Sequence, residues 1–171
     1  MKIVLLGYMG SGKSTVGKVL AQRLGMSFLD LDDYIETRLG MPVSRIFSEK
    51  GELFFRKKEH EYLKEVLQDP ADTVLALGGG TPCYSGNMET LLAHTPNTFY
   101  LMLPIGELVT RLRSEKAARP LIRDIPDGEL PTFIGKHLFE RRNFYNMAAN
   151  TIAAGGRDAL SVAAEIEKAL V

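Results

Sequence analysis

The run Gly7-Tyr8-Met9-Gly10-Ser11-Gly12-Lys13-Ser14 sets glycines, a lysine and a hydroxyl at the spacing G-x-x-x-x-G-K-[ST]. Glycine lets the backbone turn tightly, so that successive N–H groups face inward as a nest for phosphate oxygens. A helix starting directly after the loop adds the positive end of its dipole. Lys13 then neutralises charge at the β- and γ-phosphates, and the Ser14 hydroxyl can ligate Mg²⁺. A chance Gly-rich turn is the bland alternative, but this run lies between an apolar strand and an amphipathic helix. The chemistry is triphosphate binding. The loop alone does not identify what receives a phosphoryl group, because ATPases, GTPases and kinases all use it.

Acceptor chemistry must come from residues at the carboxyl ends of the strands, where open parallel sheets bind ligands. Asp30-Leu31-Asp32 ends the second apolar run, and carboxylates two apart point the same way while the chain is extended. One could help hold hydrated Mg²⁺ while the other approaches a substrate hydroxyl; alternatively both cap the next helix. Arg56 opens a helix in Gly51-Glu52-Leu53-Phe54-Phe55-Arg56, where it is either an anion ligand or one solvated charge among Lys57, Lys58 and Glu59. Arg141 continues the stripe Ile134, Leu138, Tyr145. A cation on an apolar face needs a partner, and either a pocket anion or a structural acid would serve. Gly78-Gly79-Gly80 follows a strand, where bare backbone can approach a ligand or simply form a flexible turn. Arg119 is a candidate arginine finger in cis, or an exposed loop residue. His60, His94 and His137 lack metal-ligand spacing and read as structural or surface groups, and Cys83 as a passive thiol.

These residues require a scaffold that brings strand ends together. Ile3–Leu6, Ser27–Leu31, Thr73–Leu77, Thr98–Leu103 and Asn150–Ala153 read as short strands, the first apolar enough to be covered on both faces. Helices are expected after the glycine loop up to a stop at Gly25, then from a capping box formed by Asp33 and Glu36. Further helical stretches fall around Ile46-Phe47, from Glu52 to Leu67, from Glu107 to Arg113, from Pro131 to Met147 and from Ala159 to Leu170. Strands alternating with helices imply a three-layer α/β/α domain with a parallel sheet. Residues 114–128 carry Arg119, Pro120 and Arg123 without a steady period, which makes them a lid candidate.

The 171 residues fit one domain, 1–171. Lys plus Arg equals Asp plus Glu at 21 each, so no global field favours nucleic acid or an acidic membrane. A single cysteine permits no internal disulfide, which makes a reduced cytoplasm the default. The apolar run before Gly7 is too short for a signal peptide, and none is long enough to span a membrane.

Taken together, Gly7 to Thr15, Phe28-Leu29-Asp30-Leu31-Asp32, Gly51-Glu52-x-x-Phe55-Arg56, Gly78-Gly79-Gly80, Arg119-Pro120-Leu121 and Arg141 four before Tyr145 resemble the shikimate kinase family. That family lies within the nucleoside-monophosphate-kinase-like branch of P-loop folds. The resemblance runs nearly end to end and implies a five-stranded parallel sheet with a mobile lid. It implies transfer of the γ-phosphoryl group of MgATP to the 3-hydroxyl of shikimate, on the way to chorismate and the aromatic amino acids. Carried over by position, Gly10, Ser11, Gly12, Lys13, Ser14 and Thr15 would bind ATP. Asp32, Arg56, Gly78, Gly79, Gly80 and Arg141 would bind shikimate in a region reaching from about residue 32 to 60, with Asp32 beside the accepting hydroxyl. Asp30 would act through the metal shell together with Ser14, and Arg119 on the phosphates. Phe47, Phe55, Pro120 and Leu121 would form the apolar wall; Arg157, and Arg111 or Arg113, would meet the adenine end. Asn143 stands where members commonly carry proline. A monomer acting on small molecules in the cytoplasm is the implied setting. The rivals are a gluconate-type or nucleotide kinase on the same scaffold, and a nucleotide-dependent switch without small-molecule turnover.

Overall fold

In the computed structural model, which describes residues 1–171, the strands are β1 (Lys2–Leu6), β2 (Ser27–Asp30), β3 (Thr73–Ala76), β4 (Thr98–Met102) and β5 (Asn150–Ala153). They make one sheet in the order β2-β3-β1-β4-β5, parallel at every pairing. The register sets Val4 between Leu75 of β3 and Thr98 of β4. Residues Ile3 to Leu6 and Val74 to Ala76 have no exposed surface, as apolar strands do when helices cover both faces.

The helices are α1 (Lys13–Leu24), α2 (Leu31–Leu39), α3 (Val43–Lys50), α4 (Glu52–Gln68), α5 (Asn87–His94), α6 (Ile105–Glu115), α7 (Leu130–Tyr145) and α8 (Ala159–Lys168). α1 packs on α8 and on β2 and β3; α4 packs on α2, α3 and α5; α6 packs on α7. Because every crossover is parallel, all five strand ends point the same way. The loop after β1, the central strand, is therefore flanked by the ends of β3 and β4.

Several expected elements are displaced, each for a local reason. The Asp33–Glu36 capping box is absent: α2 starts at Leu31, and Asp30 caps it by accepting from the N–H groups of Asp32 and Asp33. Glu36 instead accepts from the N–H of Val43, the first residue of α3. The helix α5 is additional to those expected, and so is a 3₁₀ turn at Thr81–Cys83. Residues 114–128 are not structureless. Ser114 and Glu115 complete α6, 3₁₀ turns occupy Lys116–Ala118 and Asp127–Glu129, and fully buried Ile122 anchors the segment to the core. α7 continues through Asn143 to Tyr145, with Ile134, Leu138 and Tyr145 buried as their spacing requires.

Candidate active site

The loop between β1 and α1 is built from backbone. Gly10 and Gly12 take φ values of 76° and 92°, in the left-handed region where a Cβ is costly. Lys13 is buried and curls back, its Nζ donating to the carbonyls of Gly7 at 2.8 Å and Tyr8 at 2.9 Å. Burial lowers its pKa to about 8, with Asp32 opposing and Arg119 reinforcing that fall. Beside it the Ser14 hydroxyl donates to Asp30 Oδ2 at 2.8 Å, so Asp30 serves the helix cap with one oxygen and Ser14 with the other. Gly10, Gly12, Lys13, Ser14, Thr15, Asp30, Asp32, Gly78, Gly79, Arg111 and Arg119 line a common cavity of about 330 Å³.

Of the two arginines left open, Arg111 is the one that stands at the loop. It donates to the Gly10 carbonyl at 3.3 Å and pairs with Glu107 at 2.9 Å, whereas Arg113 is exposed. Arg111 also borders a second, smaller cleft with Ser11, Gly12, Thr15 and Arg157. Arg157 donates to the Ala153 carbonyl at 3.1 Å and pairs with Glu165, which fixes it between β5 and α8. Arg119 is held by Glu115, one helical turn earlier, at 2.7 Å.

The acceptor side is made from side chains that meet at the triglycine turn. A Cβ on Gly78 would lie 3.0 Å from Asp32 Oδ1, and one on Gly79 would lie 3.3 Å from Arg141 Nη1. A Cβ on Gly80 would lie 2.9 Å from Arg56 Nη2 and 3.3 Å from Arg141 Nη2. Three residues from β2–α2, α4 and α7 thus converge on backbone that carries no side chain of its own. The Tyr145 hydroxyl donates to the Gly79 carbonyl and ties the turn to α7.

The two arginines differ in how they are held. Arg56 pairs with Glu59 at 2.9 Å, lies 3.8 Å from the centroid of the Tyr84 ring, and has Phe47 and Phe55 within reach of its charge. Glu59, 1 % exposed, also accepts from the Thr81 hydroxyl at 2.8 Å. Arg141 pairs with no carboxylate at all. The structural-acid alternative for Arg141 is therefore absent, and its charge faces a cavity shared with Arg56, Phe47, Pro120 and Leu121. Phe55 does not line that cavity; it is buried behind Phe47, ring centroids 4.5 Å apart.

Asp32 departs from an ordinary aspartate. Burial, then the charges of Asp30 and Glu59, raise its pKa to about 7, with Lys13 pulling the other way. A carboxylate of that basicity is far better matched to a hydroxyl proton near neutral pH than a solvent-exposed one.

Sequence reasoning passed over Glu59, Tyr84 and His137. Glu59 falls four residues after Phe55 and four before Leu63, on the buried face of α4, and that period is the available signal. His137, expected to be structural or surface, borders the acceptor cavity one turn before Arg141. Tyr84 gives no local signal, since only the fold brings it to Arg56.

A glycine loop on a parallel sheet, with basic side chains over its phosphate cavity and a separate acceptor cavity alongside, defines an ATP-dependent P-loop kinase of small molecules. Comparison with known proteins narrows the class. The shikimate kinase family model matches residues 9–171. A shikimate kinase of Flavobacterium psychrophilum is 43 % identical over 99 % of this chain and 98 % of its own. A solved shikimate kinase of Bacteroides thetaiotaomicron superposes with a TM-score of 0.89 at 36 % identity, covering 99 % of this chain and 96 % of its own. One from Acinetobacter baumannii, solved in complex with shikimate, gives 0.87 at 34 % identity over 98 % and 91 %. The chain belongs to the shikimate kinase family.

Proposed function

We propose that this chain phosphorylates the 3-hydroxyl of shikimate with MgATP, giving shikimate 3-phosphate and ADP. The observation that carries the reading is the convergence of Asp32, Arg56 and Arg141 on Gly78–Gly80, with Arg141 lacking any acidic partner. Shikimate carries one carboxylate and several hydroxyls. Two guanidinium groups beside one bare turn suit the carboxylate through planar paired bonds, and Asp32 suits a hydroxyl.

In the reaction the acceptor oxygen forms a bond to the γ-phosphorus as the bond to the β–γ bridging oxygen breaks, and ADP leaves. The hydroxyl proton passes to the Asp32 carboxylate late in a loose transition state. Lys13 exchanges its two backbone carbonyls for phosphate oxygens, and Arg119 leaves or shares Glu115 to meet the same charge. Glu59 keeps Arg56 oriented, since a buried guanidinium without it would be a costly unpaired charge.

The residues present fit a magnesium ion. Ser14 Oγ and Asp30 Oδ2 lie 2.8 Å apart at the mouth of the phosphate cavity, a hydroxyl and a carboxylate. No cluster of three or more His, Cys, Asp or Glu side chains competes as a dedicated metal cage. That partial oxygen set suits an ion that keeps waters and shares phosphate oxygens. When bound, Mg²⁺ supplies charge neutralisation at the β- and γ-phosphates. Residues 114–128, hinged on buried Ile122 and carrying Arg119, Pro120 and Leu121, act as the lid that excludes water from the transfer.

No helix is long and apolar enough to cross a membrane. A monomer working in the cytoplasm completes the reading. A coupled assay of ADP release with shikimate, gluconate and AMP tests it. Turnover with shikimate alone is the expected result; turnover only with another acceptor, or ATP binding without acceptor-dependent ADP, would refute it.

A further inference from the structure

Tyr8 and His137 form a polar pair that the transfer chemistry does not use. Tyr8 belongs to the phosphate loop, where its backbone carbonyl accepts from Lys13. Its side chain points away from that cavity, is 1 % exposed, and places its hydroxyl 2.8 Å from Nδ1 of His137. The imidazole stands edge-on to the Tyr8 ring, with centroids 5.4 Å apart at 83°, and Phe133 packs on it at 5.4 Å and 47°. An imidazole pinned in this way has little freedom to turn. It borders the acceptor cavity with Arg56, Arg141, Pro120 and Leu121. Its second nitrogen, Nε2, has no protein partner and yet is not sealed from solvent.

The protonation of the pair follows from its surroundings. Burial first, then the charge of Arg141, pushes His137 down to about 4, with Glu140 opposing in part, so the ring is neutral near pH 7. Burial also raises Tyr8 and keeps its hydroxyl protonated, although Arg141 pulls against it. The Tyr8 hydroxyl has His137 as its sole partner. If Nδ1–H donated to Tyr8, the hydroxyl proton would be left without an acceptor in a buried place, which is the costlier arrangement. Tyr8 O–H therefore donates to Nδ1, and the imidazole proton resides on Nε2.

We propose that His137 is a specificity-determining residue of the acceptor pocket, whose Nε2–H donates to a hydroxyl oxygen of the acceptor other than the one that takes the phosphoryl group. Tyr8 is the positioning residue that holds its tautomer. This deepens the reading of the cavity as a shikimate site and rests on it. The pair couples the two halves of the molecule: one residue of the phosphate loop supports Lys13 through its backbone and the acceptor pocket through its side chain.

The test compares kcat/KM for shikimate with kcat/KM for its 4-deoxy and 5-deoxy analogues, which keep the carboxylate and the accepting hydroxyl. The wild-type enzyme is expected to lose roughly tenfold on one of the two analogues, the scale of a single neutral hydrogen bond in a pocket. In His137→Leu that ratio should fall below about twofold, and His137→Gln, which keeps an N–H near the Nε2 position, should restore part of it. Tyr8→Phe should lower the ratio as well, and ¹⁵N spectra of its His137 should lose the strong bias to the Nε2–H form. If His137→Leu does not fold, Tyr8→Phe, smaller by one oxygen, carries the test alone. Wild-type indifference to both deoxy positions, or undiminished discrimination in the folded variants, would overturn the proposal. Absence of shikimate turnover in the wild type would instead overturn the function on which it rests.

Discussion

The phosphate cavity and the acceptor cavity share a wall but are built in opposite ways. The first is organised around the backbone of one stretch, Gly7 to Thr15, with Lys13 holding carbonyls only five and six residues before it. The second has little backbone of its own beyond the triglycine turn. Its polar groups come from α4 and α7 and, at the boundary with the phosphate cavity, from the first turn of α2, up to 109 residues apart between Asp32 and Arg141 (141 − 32). A backbone site is set by local conformation and tolerates changes elsewhere. A side-chain site depends on tertiary packing and on supports such as Glu59 and Tyr145. Variants of the acceptor wall should therefore alter shikimate kinetics while leaving nucleotide affinity nearly as it was.

The largest expected effect is at the boundary between the two. Asp32→Asn removes the proton acceptor at nearly constant shape. We expect kcat to fall by roughly 10²–10⁴, the range of a positioned general base. ATP affinity measured by calorimetry should change little, and an unchanged kcat would remove Asp32 from the mechanism. Next comes Arg141→Lys, which keeps the charge and loses the planar fork. The KM for shikimate should rise by about 10–100-fold, as for loss of charge-assisted hydrogen bonds, and the KM for ATP should stay within about twofold. Equal shifts in both constants would dissolve the division between the cavities.

Gly80→Ala sharpens the comparison further. Its φ is −92°, which alanine adopts without strain, so the backbone tolerates the change. The added carbon would meet Arg56 Nη2 at 2.9 Å, Nη1 at 3.0 Å and Arg141 Nη2 at 3.3 Å, all flexible ends that can move aside. The fold should survive with both guanidinium groups displaced. Shikimate KM should rise about tenfold, equivalent to roughly 1.4 kcal/mol of lost binding, with thermal stability nearly constant. A wild-type KM would mean that the two arginines do not grip the substrate from where they stand.

The contrast also explains what could be read without coordinates. The phosphate loop was fully legible, because its chemistry depends on spacing along the chain. Arg141 was half legible: its stripe with Ile134, Leu138 and Tyr145 revealed burial, but only the fold revealed that no acid pairs with it. The cap of α2 was misplaced because Asp30, Asp32 and Asp33 offer three registers in four residues, and the local pattern does not choose among them. α5 escaped because it is short and its start is concealed by Pro82, by Ser85 at φ 56° and by Gly86 at φ 64°. The raised pKa of Asp32 left no mark in the sequence, since its burial and the nearby charges of Asp30 and Glu59 are tertiary properties.

That last property also leads to an effect on stability, which is read without turnover. Asp32 titrates near 7 in the folded chain against an ordinary value of 3.8. Between those values the folded form keeps a proton that the unfolded form has released, so stability falls as pH rises through this window. Below it both states are protonated and above it both are ionised; the penalty is thus absent near pH 3 and complete above about 7. Asp32→Asn cannot ionise and escapes the penalty. Its Tm should match the wild type near pH 4 and exceed it by roughly 10 °C at pH 8. In the same window wild-type kcat/KM for shikimate should climb about tenfold per pH unit up to a plateau near 7, as the carboxylate loses its proton. A constant Tm difference across that range would mean that Asp32 is ionised throughout, as a solvated carboxylate would be. Its basicity in the transfer would then have to come from the bound substrates and not from the folded chain.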